Sequence, residues 1–182
     1  MSLLNSKTTS NALLIAPILI IFGVLMRLLP HSPNFVPIGG LAFWSGLYLP
    51  KKYSFLVLML TLILSDFIIG FYSIGIMVSV YLGWMLMAYL GSTSNKKIFS
   101  VVSLALVGSV AFFLITNLSV WCFGSLYPKT VLGFWDCYVN AIPFFRNSLS
   151  SDLFYTVLFV TATEFSPVIL QISPWIKRRA QA

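Results

Sequence analysis

The stretch Ile98-Phe-Ser-Val-Val-Ser-Leu-Ala-Leu-Val-Gly-Ser-Val-Ala-Phe-Phe-Leu-Ile-Thr-Asn-Leu-Ser-Val120 contains no charged residue. A helix needs roughly 20 apolar residues to cross the hydrocarbon core of a bilayer, and this run exceeds that length. Working outward from it, similar apolar runs lie at 11–29, 35–49, 53–71, 74–90 and 149–172. The whole chain has the same character. Of its 182 residues 59% are hydrophobic and 8% charged, against about 25% charged in a soluble domain. So few charges cannot cover a water-facing globule. The expected fold is all-α and integral to the membrane, one domain over 1–182 with six transmembrane helices.

Two of the runs need comment. The first follows Lys7 and is ended by Pro30 and Pro33. Its apolar core is longer than the roughly 7–15 residues of a signal peptide, and no small-residue cleavage pattern follows, so it reads as a retained helix. The second is short and carries Pro37, Gly39 and Gly40. It reads either as a short tilted span or as a partly re-entrant segment, since irregular backbone at membrane depth must be shielded by protein. Between the fifth and sixth runs, residues 121–148 form the one long connection, expected as an external loop rich in Trp, Tyr and Phe and carrying Pro128 and Pro143.

The basic residues set the orientation. With the N-terminus in the cytoplasm, the internal segments hold Lys7, Lys51, Lys52, Lys96, Lys97, Lys177, Arg178 and Arg179, which leaves only Arg27, Lys129 and Arg146 outside. Positive charge concentrates on the cytoplasmic side of short loops, so both termini are expected there. The net charge of +7 is thus a topology signal and not a nucleic-acid patch.

Polar groups are costly in hydrocarbon, and their placement is informative. Arg27, Asp66, Asn117, Arg146, Asn147 and Asp152 all fall toward the external side. One reading pairs them structurally, Arg27 with Asp66 for example, or lets them snorkel to the interface. The other gathers them into an outward-facing pocket with aromatic walls, because small-molecule sites combine apolar walls with a few placed polar groups. The second reading takes Arg27, Asn34, Asp66, Tyr81, Asn117, Trp121, Tyr138, Arg146, Asn147 and Asp152 as substrate-binding residues. Arg146 and Lys129 would favour an anionic ligand, and the aromatics a flat ring.

Other chemistries find little support. Gly124-Ser-Leu-Tyr-Pro-Lys129-Thr130 lacks the glycine before lysine that a phosphate loop requires. His31 is the only histidine, and no metal-ligand spacing accompanies it. No nucleophile–base pair is evident, so no enzyme, cofactor or metal is expected. Glu164 is the one enzyme-like oddity, and equally reads as a residue that caps or pairs near the cytoplasmic face. Cys122 and Cys137 flank one loop, as a disulfide or as two free thiols. Ala12 and Ala16, four apart in the first helix, would let another helix approach closely.

Several blocks carry a resemblance. Arg27-Leu-Leu-Pro-His-Ser-Pro-Asn-Phe-Val-Pro-Ile-Gly-Gly-Leu-Ala-Phe43, Leu64-Ser-Asp-Phe-Ile-Ile-Gly70, Phe112-Phe-Leu-Ile-Thr-Asn-Leu-Ser-Val-Trp121, Tyr127-Pro128 and Ala141-Ile-Pro-Phe-Phe-Arg-Asn147 resemble a family of uncharacterised bacterial membrane proteins. These are similar to the substrate-binding S components of energy-coupling factor (ECF) vitamin transporters, and the likeness runs from about Arg27 to Phe159. It implies a six-helix bundle in the bacterial cytoplasmic (inner) membrane and a vitamin-like small molecule bound near the external face. It also implies docking through an Ala-x-x-x-Ala pattern, here Ala12 and Ala16, on a coupling subunit driven by two ATPases. Some solitary S components work without a dedicated module. The competing expectation is a non-transporting membrane scaffold, of the kind found in rod-shape machineries, which would hold no ligand.

Overall fold

The computed structural model describes residues 17–165. Ala12, Ala16 and the ends of the first and last expected spans lie outside the described residues. Six helices follow one another: α1 (Pro17–Leu28), α2 (Ile38–Tyr48), α3 (Lys51–Ile69), α4 (Ile74–Thr93), α5 (Ile98–Phe123) and α6 (Val131–Phe165). No strand occurs among the described residues.

The helices are inside-out relative to those of a soluble protein. On α3 the buried stripe is Ser54, Val57, Leu58, Thr61, Leu62, Ser65 and Asp66, which recurs at the three- and four-residue spacing of one helix face. The opposite face exposes Phe55, Leu56, Ile63, Leu64, Phe67 and Ile68. On α5 the inward residues are small, including Ala105, Gly108, Ser109 and Ser119, while Phe99, Leu106, Val107, Val110, Leu114 and Leu118 point outward. Apolar surface of this extent is incompatible with a monomer in water. In lipid it costs nothing, and inward hydroxyls find carbonyls, Thr61 that of Val57 at 2.7 Å and Ser65 that of Thr61 at 2.6 Å on their own helix, Ser119 that of Gly75 on α4 at 2.9 Å. Small residues on the inward face allow the close packing that holds membrane helices together.

Three helices, α3, α4 and α5, are long and apolar enough to cross a membrane. α2 is not. Its 11 residues rise only about 16 Å, roughly half the hydrocarbon thickness, and every one of them is buried. This second run is therefore a short helix enclosed by protein. It packs mainly on α4 and α6, with α3 and α5 adding smaller contacts. Gly46 permits the α4 contact: a Cβ there would lie 1.8 Å from the Ala88 carbonyl oxygen. The far end of α2 is tied to α6, with Trp44 Nε1 donating to Thr163 Oγ1 at 2.7 Å and the Tyr48 hydroxyl to Glu164 Oε1 at 2.6 Å. Lys96 lies 3.8 Å from the same carboxylate and over the Tyr48 ring. Glu164 is thus a pairing residue that closes one end of the bundle.

The expected loop 121–148 needs correction. Only 124–130 is a loop, because α5 runs to Phe123 and α6 begins at Val131 and runs 35 residues without a break. Pro143 lies inside it and removes one backbone bond, to the carbonyl of Val139. A membrane helix tolerates such a break when neighbouring helices or side chains satisfy the freed group.

The main packing forms a ring in which α2 contacts α4, α4 contacts α5, α5 contacts α6, and α6 returns to α2. α1 lies outside this ring. Its Gly23 faces Thr61 of α3 and Leu41 of α2, and its Phe22 meets Phe159 of α6 edge to face at 5.8 Å.

Candidate functional site

The ring of α2, α4, α5 and α6 encloses a cavity of about 390 Å³. Ile76, Val80 and Trp84 line it from α4, and Phe112, Phe113, Thr116, Asn117 and Val120 from α5. Ala141, Phe144, Phe145, Ser148 and Asp152 contribute from α6, Ile38 from α2, and Asn34, Val36, Tyr72 and Arg27 complete the wall. At 1.5 Å per residue the lining segments of α4 and α5 each run about 12 Å. Trp84, Phe112 and Asp152 occupy the end farthest from the α3–α4 and α5–α6 connections.

The walls are aromatic. Trp84 and Phe112 stack at 3.9 Å between ring centroids, and Phe113 and Phe145 lie 4.5 Å apart. Thr116 Oγ1 and one N–H of Asn117 donate to carbonyls of their own helix, Phe112 and Phe113, at 2.8 Å each. Asn34 adopts φ +59°, a left-handed conformation that Asn tolerates better than most residues. The chain around it is anchored to α6, with Asn147 Nδ2 donating to the Pro33 carbonyl at 3.0 Å and Ser151 Oγ to that of Val36 at 2.6 Å.

Two carboxylates lie within the bundle, in contrasting surroundings. Asp66 is 1% exposed and forms an ion pair with Arg27 Nη2 at 2.7 Å, while its other oxygen accepts from the Tyr81 hydroxyl at 2.8 Å. Arg27 also donates to the Ser65 hydroxyl. Beside this group, in the α3–α4 turn, burial and then the negative charge of Asp66 push the Tyr72 hydroxyl up to about 12, against the opposing pull of Arg27. Tyr72 therefore stays a neutral donor. Asp152, also 1% exposed, has only the Ser109 hydroxyl, 2.7 Å from Oδ2. Its Oδ1 has no hydrogen-bond partner among the described residues. Gly39 makes room for it, since a Cβ there would lie 2.0 Å from that oxygen.

Of the residues expected to bind a ligand, Arg27, Asn34, Asn117 and Asp152 line the cavity. Asp66 and Tyr81 stand behind Arg27 and hold it. Asn147 anchors the chain next to Asn34. Trp121, Tyr138 and Arg146 do not line it: Trp121 Nε1 donates to the Pro128 carbonyl and the Tyr138 hydroxyl to that of Leu114. Lys129 is likewise outside, donating to the Trp121 and Gly124 carbonyls. Cys122 and Cys137 are free thiols. The sequence reading did not single out Trp84, Phe112, Phe113 or Ser109. All lie in apolar helical runs where a ligand-facing and a lipid-facing aromatic look alike.

Three long apolar helices, packed with three more in one bundle, define a multi-pass helical membrane protein. The chain belongs to a family of unknown function (DUF6580), whose model matches residues 7–171. Neither a curated protein nor a solved structure matches it.

Proposed function

We propose that this chain is the substrate-binding membrane subunit of a vitamin or micronutrient importer of ECF type. The observation that carries this reading is the aromatic-walled cavity of about 390 Å³ inside the helix ring, which has the size and the sparse, placed polar groups of a small-molecule site. The resemblance of the Arg27–Phe43 and Ala141–Asn147 blocks to S components supports it. In this reading all six helices belong to the membrane bundle of a bacterial inner-membrane protein. The distribution of basic residues supports cytoplasmic termini, and in that orientation the cavity faces the outside.

Most alternating-access folds use paired repeats, and the sequence shows no internal repeat. In this reading transport draws on partners, a coupling subunit with ATPases, docked through the Ala12 and Ala16 pattern. The test is a thermal-stability screen of the purified protein against a vitamin panel. A saturable rise in melting temperature with one compound supports the reading. No response to any compound, together with normal membrane insertion, favours the scaffold alternative.

A further inference from the structure

We propose that the cavity selects a planar organic cation carrying an N–H group, which docks on Asp152. This inference rests on the reading of the cavity as a ligand site and adds the chemical class of the ligand.

The charges around the cavity decide the class. The lining holds one basic and one acidic side chain, Arg27 and Asp152. The charge of Arg27 is already matched, by the ion pair with Asp66 on one arm and the Ser65 hydroxyl on the other. Asp152 is not matched, since no ion pair reaches it among the described residues. Its one donor is also shared, because the Ser109 hydroxyl sits 2.7 Å from Oδ2 and 3.0 Å from the Ala105 carbonyl and has a single proton to give. A buried carboxylate with an unpartnered oxygen is costly, and a charged donor is the group that relieves it most.

The surroundings of that oxygen set the shape. The Trp84 ring edge and the Gly39 backbone meet at the same point, the position of a Gly39 Cβ being 2.9 Å from Trp84 Cζ3. Trp84 and Phe112 form one stacked pair, and Phe113 and Phe145 a second. Aromatic faces attract cations and suit a flat ring. An anionic ligand would instead meet Asp152 as a like charge, and the basic residues once expected to attract one, Arg146 and Lys129, do not line the cavity.

Three ring-matched probes test this on the purified full-length chain: benzamidinium, benzamide and benzoate, read by tryptophan fluorescence and thermal shift. Benzamidinium is expected to bind saturably and at least tenfold more tightly than benzamide or benzoate. In Asp152→Asn its affinity is expected to fall to that of benzamide. The proposal is overturned if benzoate or benzamide binds wild type as well as benzamidinium, if none of the three binds, or if the cation preference survives in Asp152→Asn. The wild-type charge series needs no variant to fold. An anionic molecule that copurifies with the chain overturns the charge class and leaves the binding-subunit reading standing. Benzamidinium selectivity in a chain that responds to no vitamin supports the charge class and counts against the importer reading.

Discussion

Arg27 of α1 and Asp66 of α3 form an ion pair at 2.7 Å in the interior of the bundle, and the pair fastens α1 to α3. Asp66 is 1% exposed, so removing its partner leaves a buried, uncompensated charge. Arg27→Met is expected to destabilise the protein by about 3 kcal/mol, the lower end for a broken buried pair, because Arg27 retains 17% exposure. Arg27→Met with Asp66→Leu is expected to recover part of that loss. Thermal melts of the two variants in one detergent check this. A double variant less stable than the single would show that the pair is not what Asp66 requires.

Gly46 sets the distance between α2 and α4. A methyl group there meets the Ala88 carbonyl oxygen at 1.8 Å, and both helices must separate. Gly46→Ala is expected to cost about 1–3 kcal/mol, the range for overpacking, and Gly46→Leu more. Equal melting temperatures for wild type and Gly46→Leu would contradict the packing described.

Tyr48 and Glu164 close the end of the bundle opposite the α3–α4 turn, hydroxyl to carboxylate at 2.6 Å. Tyr48→Phe removes a hydrogen bond to a partly exposed carboxylate and is expected to cost about 1 kcal/mol. Glu164→Gln keeps an acceptor and is expected to cost less. Neither residue lines the cavity, so ligand affinity should not change in either variant. An affinity loss as large as that of a lining variant would place the binding site elsewhere.

Orientation is tested by labelling. In a Cys122→Ser background, a cysteine at Lys129 is expected to react with an impermeant maleimide in intact cells, and cysteines at Lys51 or Lys97 only after the membrane is opened. The reverse pattern would turn the cavity mouth toward the cytoplasm.

The helical membrane class was legible in the sequence because lipid imposes long uncharged runs, and 53–71, 74–90 and 98–120 correspond closely to α3, α4 and α5. The start of α6 was not. Asp136, Asn140, Pro143, Arg146 and Asn147 break its hydropathy, and local composition there reads as a loop, yet the segment is helical from Val131 onward. The Arg27–Asp66 pair was foreseeable, since two isolated opposite charges in hydrocarbon have few other partners. Trp84 and Phe112 were not foreseeable as walls. Period alone does not separate ring-facing from lipid-facing residues in a helix that is apolar on every side.

Native mass spectrometry of the chain purified from rich medium, beside an Ala141→Trp variant that fills the cavity, tests the binding claim most directly. A stoichiometric vitamin-sized adduct on the wild type that Ala141→Trp lacks is the expected result. An adduct retained by a folded Ala141→Trp variant, or a wild-type chain that carries none, would contradict it.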